Sequence, residues 1–416
     1  MSIFFKKILT DFPTCPAQVL CRLQSLQGLV FLKDHGKPII GFLPKHYSLD
    51  GQINLNFSDT PKTATGFNGG WIGFIGYDYS ANQFIDAPSH TQPATYLGYY
   101  LSYLKFEKNT WVFYSHEADA QEILEKIKKL PITELKFELI EPCTPTWTKN
   151  QYAHAFNQVQ HYIKAGDCYQ INLTQQFKGK ANGQLLAQAA KLWQLTNAPY
   201  AGYLKIDDFE LLSCSPELFI EFQANHIVKT RPIKGTMPRY TNVQQDEQSK
   251  NTLAESIKDQ AENVMIVDLL RNDLSLYAQT GSVKTNKLFE IESFEQVHHM
   301  VSEIQATLKP HINPIHMLLD ALPGGSITGA PKIRAMQIIS ELEQQPRGAY
   351  CGSMGYFNLD GTGCWNILIR SIQKYQNELS VWAGGGITIA SNCDAEYQEC
   401  FDKILAILDS INTPSV

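Results

Sequence analysis

The chain has 416 residues, 44% hydrophobic and 18% charged, enough to enclose a sizeable core in one large body or two ordinary ones. A net charge of −6 offers no basic surplus for nucleic acid, and no apolar run nears the roughly 20 residues of a membrane helix. Nine cysteines without a CxxC pair fit a reducing compartment, and the N-terminus, with Lys6 and Lys7 inside its apolar stretch, lacks a signal-peptide pattern, so a cytoplasmic protein with no nucleic-acid or membrane partner is expected.

Residues 1 to about 140 are rich in short β-like runs, among them GLVFL, PIIGFL, GGWIGFIGY and TWVFYS, followed by a helical stretch at 120–130. EPCTPTWTKN (141–150) has two prolines and no periodicity and reads as a linker, dividing the sequence into 1–145 and 146–416. Beyond it, 151–166 reads as an amphipathic helix ending at Gly166, and CYQINLTQQF, AGYLKI and ELLSCSPELFIEF as strands. Residues 255–274 form a long helix, with two more at 331–343 and 394–409. CGSMGYF, CWNILIRSI and LSVWAGGGITIA read as strands of one sheet. Strands and helices do not alternate as βαβ units, so the fold class is α+β.

Three groups of residues could carry chemistry. Asp259 and Glu262 are three apart on one helix, and Glu396, Glu399 and Lys403 share a face of another. Two such faces could hold Mg²⁺ with waters and an anionic substrate; the alternative is two solvated faces with a Glu399–Lys403 ion pair. LPGGSITGAPK (322–332) and AGGGITIA (383–390) could aim backbone amides at an anion, or be tight turns. Lys234, set in the stiff TRPIKGTMPR, lies 17 residues after Glu217. Together they could act as nucleophile and acid, or be a cross-strand ion pair. His298 and His299 have no metal-like partner, and packed histidines are expected there.

Taken in order, GDCYQINLTQ, SPELF, TRPIKGTMPR, AENVMIVDLLRNDL, VHHMVS, PGGSITGAPKIRAM, CGSMGYF, AGGGITIA and AEYQECFDK resemble the chorismate-utilising enzymes over most of 151–410, and GGWIGFIGYDYS resembles their N-terminal half. The resemblance implies a large antiparallel β-sandwich flanked by helices, one globular body of two subdomains, so the boundary near 145 is first of all a sequence boundary. PIKGT resembles the branch that makes aminodeoxychorismate; anthranilate-forming relatives look like PIAGT. Gln170 stands where water-adding relatives carry a lysine, and a neutral amide cannot take water's proton.

By the same resemblance, Glu262 and Glu399 hold Mg²⁺, with Asp259 and Glu396 behind them through water. Gly384, Gly385 and Gly386 offer amides to a carboxylate of chorismate. Arg370, Lys403 and Tyr350 grip the enolpyruvyl carboxylate, and His299 and Thr328 line the ring. Lys234 attacks C2 while Glu217 protonates the C4 hydroxyl, and ammonia then displaces Lys234. No glutaminase motif is present, so the ammonia is expected from a separate glutamine amidotransferase subunit. Two departures stand out. Feedback-inhibited anthranilate synthases carry Leu-Leu-Glu-Ser in a tryptophan pocket where this chain has VFLKDHGKP (30–38), and Cys364 replaces a frequent aspartate.

Overall fold

Two antiparallel sheets carry the architecture of this computed structural model, which describes residues 4–57, 66–294 and 297–413. The first runs from Phe5–Leu9 through Thr110–Ser115, Ser102–Glu107, Lys37–Gly41, Val30–Asp34, Gly202–Ile206, Phe209–Ser213, Ser371–Tyr375 and Glu378–Ile387 to Gln170–Gly183 and Gly329–Ala330. The second runs from Ile233–Pro238 through Val297–Thr307, Ile227–Thr230, Leu218–Phe222, Gly363–Asn366, Ser353–Asn358, Gly70–Ile75 and Thr95–Tyr100 to Tyr47–Leu49. Each sheet mixes early and late segments: Val30–Asp34 pairs with Gly202–Ile206, and Gly70–Ile75 with Ser353–Asn358.

Leu32, Leu204 and Leu211 of the first sheet meet Ile72, Phe74 and Met354 of the second in the sandwich core. The outer faces are closed by helices, Val159, Ile338 and Ile407 covering Leu173 and Phe177, and Ile266, Leu270 and Leu318 covering Ile220 and Trp365. The result is helix, sheet, sheet, helix, the α+β sandwich expected. Among the described residues no helix is long and apolar enough to cross a membrane, and all nine cysteines are free thiols.

Local chemistry sets the helix ends. Thr148 and Gln151 form a reciprocal capping box at the start of Lys149–Ala165, and Gly166 ends it at φ 83°. Ser256 caps Ile257–Tyr277, and Asn392 caps Cys393–Asp402. The helix expected at 394–409 is two, because Ile404 turns into the core at φ −127° before Leu405–Asn412 begins.

Three strand expectations are corrected. The stretch read as a linker holds a strand, Phe137–Pro145, paired with Gln170–Gly183; as an outlying strand it tolerates Pro142 and Pro145, and the register shifts beside them. ELLSCSPELFIEF is not one strand but Phe209–Ser213 in the first sheet and Leu218–Phe222 in the second. CWNILIRSI likewise divides into Gly363–Asn366 in the second sheet and Ser371–Tyr375 in the first, so the three late β-like segments do not share one sheet. Proline at 216 has no N–H for a ladder, so the chain leaves one sheet there and enters the other.

A buried ion pair ties the helix Lys332–Glu343 to the first sheet. Arg347 (1% exposed) donates to both carboxylate oxygens of Glu343, at 2.8 and 2.7 Å, and to the carbonyls of Asn172 and Ile327. Glu343 in turn accepts from the Thr174 amide and hydroxyl. Removing one partner strands a buried charge. Arg347→Met should therefore cost about 3–5 kcal/mol in urea unfolding, and adding Glu343→Gln to it should recover part of that loss.

Candidate active site

The two sheet-to-sheet crossings lie side by side. The Cys214 amide donates to the Arg370 carbonyl (3.0 Å), the Ile367 amide to the Glu217 carbonyl (3.2 Å), and the Ser215 hydroxyl to the Ile367 carbonyl (2.6 Å). Arg370 is held at φ 52°, a left-handed conformation that a non-glycine residue adopts only when its surroundings impose it. Glu217 and Arg370 thus reach the same cavity, about 530 Å³ in volume and within the range of small-molecule sites. Ile233–Pro238 supplies Lys234 and Thr236, Val297–Thr307 supplies His299, and Trp382–Gly386 closes another wall. The helices Ile257–Tyr277 and Cys393–Asp402 contribute Asp259, Glu262, Glu396 and Glu399.

Burial sets the protonation states. The Glu217 carboxyl is pushed from 4.5 up to about 7 by loss of solvent, against the pull of Lys234 and the Ile233 amide. The Lys234 amine is lowered by burial and by Lys403, against Glu262, Glu217 and Glu399. Burial and Arg370 depress His299 to about 4, so its ring is neutral, and Nδ1 lies 2.9 Å from the Thr236 hydroxyl. His298, its neighbour in sequence, instead bonds Ser293 and Asp246 on the far face and is structural.

Glu262 and Glu396 are raised by burial, each worsened by neighbouring acids. Lys258 Nζ stands 3.9 Å from each of them, so one cation already bridges the two helices. Burial also opposes ionisation of Glu399, but Lys403 at 2.6 Å outweighs it and the carboxyl is lowered. Lys403 also donates to the Gly384 carbonyl (2.8 Å). The ion pair offered by the helical spacing is therefore present, and it lies inside the cavity.

Gly384–Gly386 pairs with Asn172–Thr174 on one edge only, since the pairing with Ser371–Tyr375 ends at Val381. Alternate amides on the other edge are free of strand partners. A Cβ on Gly385 would lie 2.8 Å from a Glu396 oxygen and 3.3 Å from one of Glu399, so only glycine lets the strand run against these acids.

Of the residues singled out in the sequence, Glu217, Lys234, Asp259, Glu262, His299, Tyr350, Arg370, Gly384, Gly386, Glu396, Glu399 and Lys403 share the cavity wall. Gly385 faces the acids behind it. Gln170, 1% exposed and without a hydrogen bond on either amide atom, lies under Gly386 rather than on the wall. Thr328 is not on the wall either: it is fully buried and donates to the Gly324 carbonyl, and that loop contributes Ser326 and Ile327 instead. Sequence reasoning missed Lys258 and Trp382. Lys258 had a signal, four residues before Glu262 on the same helical face; Trp382, stacked on Tyr350 at 6.0 Å, had none beyond its place before the glycines.

The arrangement defines a cavity for a small anion, with a depressed amine, a carboxyl protonated near neutrality and a cluster of acids suited to a hard cation. Residues 43–409 match the family model of the chorismate binding enzymes. The chain is 42% identical over 361 residues to aminodeoxychorismate synthase component 1 of Salmonella typhimurium, covering 85% of this chain and 79% of that protein. It is 40% identical over 353 residues to the Escherichia coli protein of the same name, covering 83% and 77%. Among solved structures, anthranilate synthase component I of Streptococcus pneumoniae superposes with a TM-score of 0.77 at 26% identity, covering 89% and 92%. The chain belongs to the chorismate binding enzyme family.

The Glu217 shift has a consequence for stability. Between pH 4.5 and about 7 the folded carboxyl keeps a proton that the unfolded chain has lost, so stability falls as pH rises through that window. Glu217→Gln should exceed the parent in stability above that window, by up to roughly 3 kcal/mol, and match it below. Urea unfolding at about pH 4 and about pH 8 measures the difference.

Proposed function

We propose that this chain aminates chorismate at C4 to give 4-amino-4-deoxychorismate, the chemistry named by its relatives in Salmonella typhimurium and Escherichia coli. The observation that carries the reading is the pair on the cavity wall, Lys234 with its amine lowered and Glu217 with its carboxyl held near 7. The neutral Lys234 amine adds to C2, the ring double bonds shift, and the C4 hydroxyl departs as water with the Glu217 proton. Ammonia then adds at C4, the double bonds return, and the Lys234 nitrogen leaves C2. Splitting one hard substitution into two replaces attack on an unactivated alcohol.

Arg370, with no carboxylate within ion-pairing distance among the described residues, is free to take a substrate carboxylate. Tyr350, Lys403 and the amides of Gly384 and Gly386 orient the rest. Glu262 and Glu399, with Asp259 and Glu396 behind them, suit Mg²⁺, which takes few protein oxygens and keeps waters. Bound there, the ion would supply charge for the ring carboxylate and draw electron density from the ring. Lys258 and Lys403, which now neutralise these acids, would give way to it. The word component in the relatives' names accords with a separate glutamine amidotransferase subunit that delivers the ammonia.

A product assay tests the reading. With chorismate, Mg²⁺ and ammonium, the parent should form aminodeoxychorismate without releasing pyruvate, and Lys234→Ala should be slowed by about 10²–10⁴-fold. Without ammonium, intact-mass analysis should show a covalent adduct on the parent and none on the variant. Equal rates in the two proteins would remove Lys234 from the chemistry, and pyruvate with a fluorescent aromatic product would favour anthranilate formation.

A further inference from the structure

The two departures noted in the sequence, VFLKDHGKP and Cys364, meet in space on the other side of the sandwich. Asp34 ends a strand of the first sheet, and His35 (φ 47°) and Gly36 (φ 81°) make the two-residue turn that follows. Cys364 and Glu221 are directly opposite each other on paired strands of the second sheet. The ligand atoms of Asp34, His35 and Cys364 lie within 4.8 Å of one another. His35 Nε2 is 3.6 Å from Asp34 Oδ1 and 3.5 Å from Glu221 Oε1.

Three further features turn this cluster into a site. Asp34 is 8% exposed, and among the described residues its Oδ1 accepts no N–H or O–H, leaving the Cys364 thiol as the carboxylate's other near partner. Its other oxygen is fixed by the Tyr356 hydroxyl (2.9 Å), and His35 Nδ1 by the Tyr200 hydroxyl (3.1 Å), so outer partners already aim Oδ1 and Nε2 inward. Asp34, Cys364, Tyr200 and Tyr356 border a void of about 10 Å³ beside the cluster, the size of one water or one ion, which His35 and Glu221 do not line.

We propose that Asp34, His35, Cys364 and Glu221 form a binding site for a divalent transition metal of the zinc type, separate from the catalytic cavity and pinning the two sheets together. Thiolate, imidazole and carboxylate oxygens are the donor set that zinc takes in four-coordinate sites. Two cations on the Glu221 side are already engaged, Arg231 with Glu292 and Glu303, and Lys229 with Glu303. Burial pushes the Cys364 thiol up, with the carboxylates of Asp34 and Glu221 adding to it, and the Glu221 carboxylate raises His35 against its burial. A metal would have to displace the thiol proton to take Cys364 as a ligand.

Cobalt substitution tests the site. After chelator treatment, the full chain titrated with Co²⁺ should bind one equivalent with a thiolate-to-cobalt charge-transfer band, displaced by Zn²⁺. Among the described residues no cysteine lines the catalytic cavity, so Co²⁺ bound there cannot give that band. The band should vanish in Cys364→Ser, and Tyr356→Phe should weaken binding about 10–100-fold. His35→Gln, on an exposed turn and safe for folding, should lose tight binding and the rise in melting temperature that Zn²⁺ gives the parent. No thiolate band in the parent, a band that persists in Cys364→Ser, or unchanged affinity in His35→Gln would each overturn the proposal.

Discussion

The site depends on one constraint, that two chain segments cross from sheet to sheet together. Cys214–Glu217 and Ile367–Arg370 run past each other at the point where each leaves one ladder and joins the next. Neither segment can complete a ladder there, so their backbone groups pair with each other and with the Ser215 hydroxyl. That mutual satisfaction leaves the side chains of Glu217 and Arg370 aimed into the space between the sheets. A single crossing would leave buried amides unpaired; a doubled crossing makes the break in the sheets affordable and gives the cavity both an acid and a cation.

The cavity is a low-dielectric space holding many charges of both signs, and its electrostatics follow from what neutralises what. Glu399 is matched by Lys403, while Glu262 and Glu396 share the distant, solvent-exposed Lys258. Burial pushes all three carboxyls up, but only Glu399 has a close cation to outweigh it, so Glu262 and Glu396 stay raised while Glu399 is lowered. Opposite them, Lys234 feels Lys403 and burial more than it feels the acids. An added hard cation would relieve the acid side and make Lys234 a still weaker base, so the same event that binds an anionic substrate would favour the neutral, nucleophilic amine.

The helices could be read from the sequence because their signals are local. Gly166 ends one helix and the carboxylates at three- and four-residue spacing share faces, as the periodicity requires. Most site residues were found through motif resemblance, whereas spacing alone left Glu399 and Lys403 as an ordinary pair, and the structure retains that pair inside the cavity. The failures are of another kind. ELLSCSPELFIEF and CWNILIRSI look like continuous strands because both sheets bury them, and nothing in a run of apolar residues says which sheet it joins. Thr328 and Gln170 carry polar side chains in matching motifs, yet one spends its hydroxyl on Gly324 and the other lies beneath Gly386. Whether a side chain reaches a wall or stops one layer behind it is decided by packing from distant segments.

The crossing also connects the two sites. The strand that begins just after Glu217 carries Glu221 four residues later, about 13 Å along an extended chain. Its partner carries Cys364 at one end and leads to Arg370 at the other. Each chain therefore presents one residue to the catalytic cavity and one to the Asp34–His35 turn. A ligand that ties the turn to Glu221 and Cys364 would fix the far end of the same two strands whose near end sets the angle of Glu217 and Arg370. A bulge between Leu218 and Ile220, where two residues of this strand face one of its partner, lies between the two sites and sets how Glu217 is turned relative to Glu221. Fastening the pair beyond that bulge would limit how far the turn can relax, without any contact with the substrate.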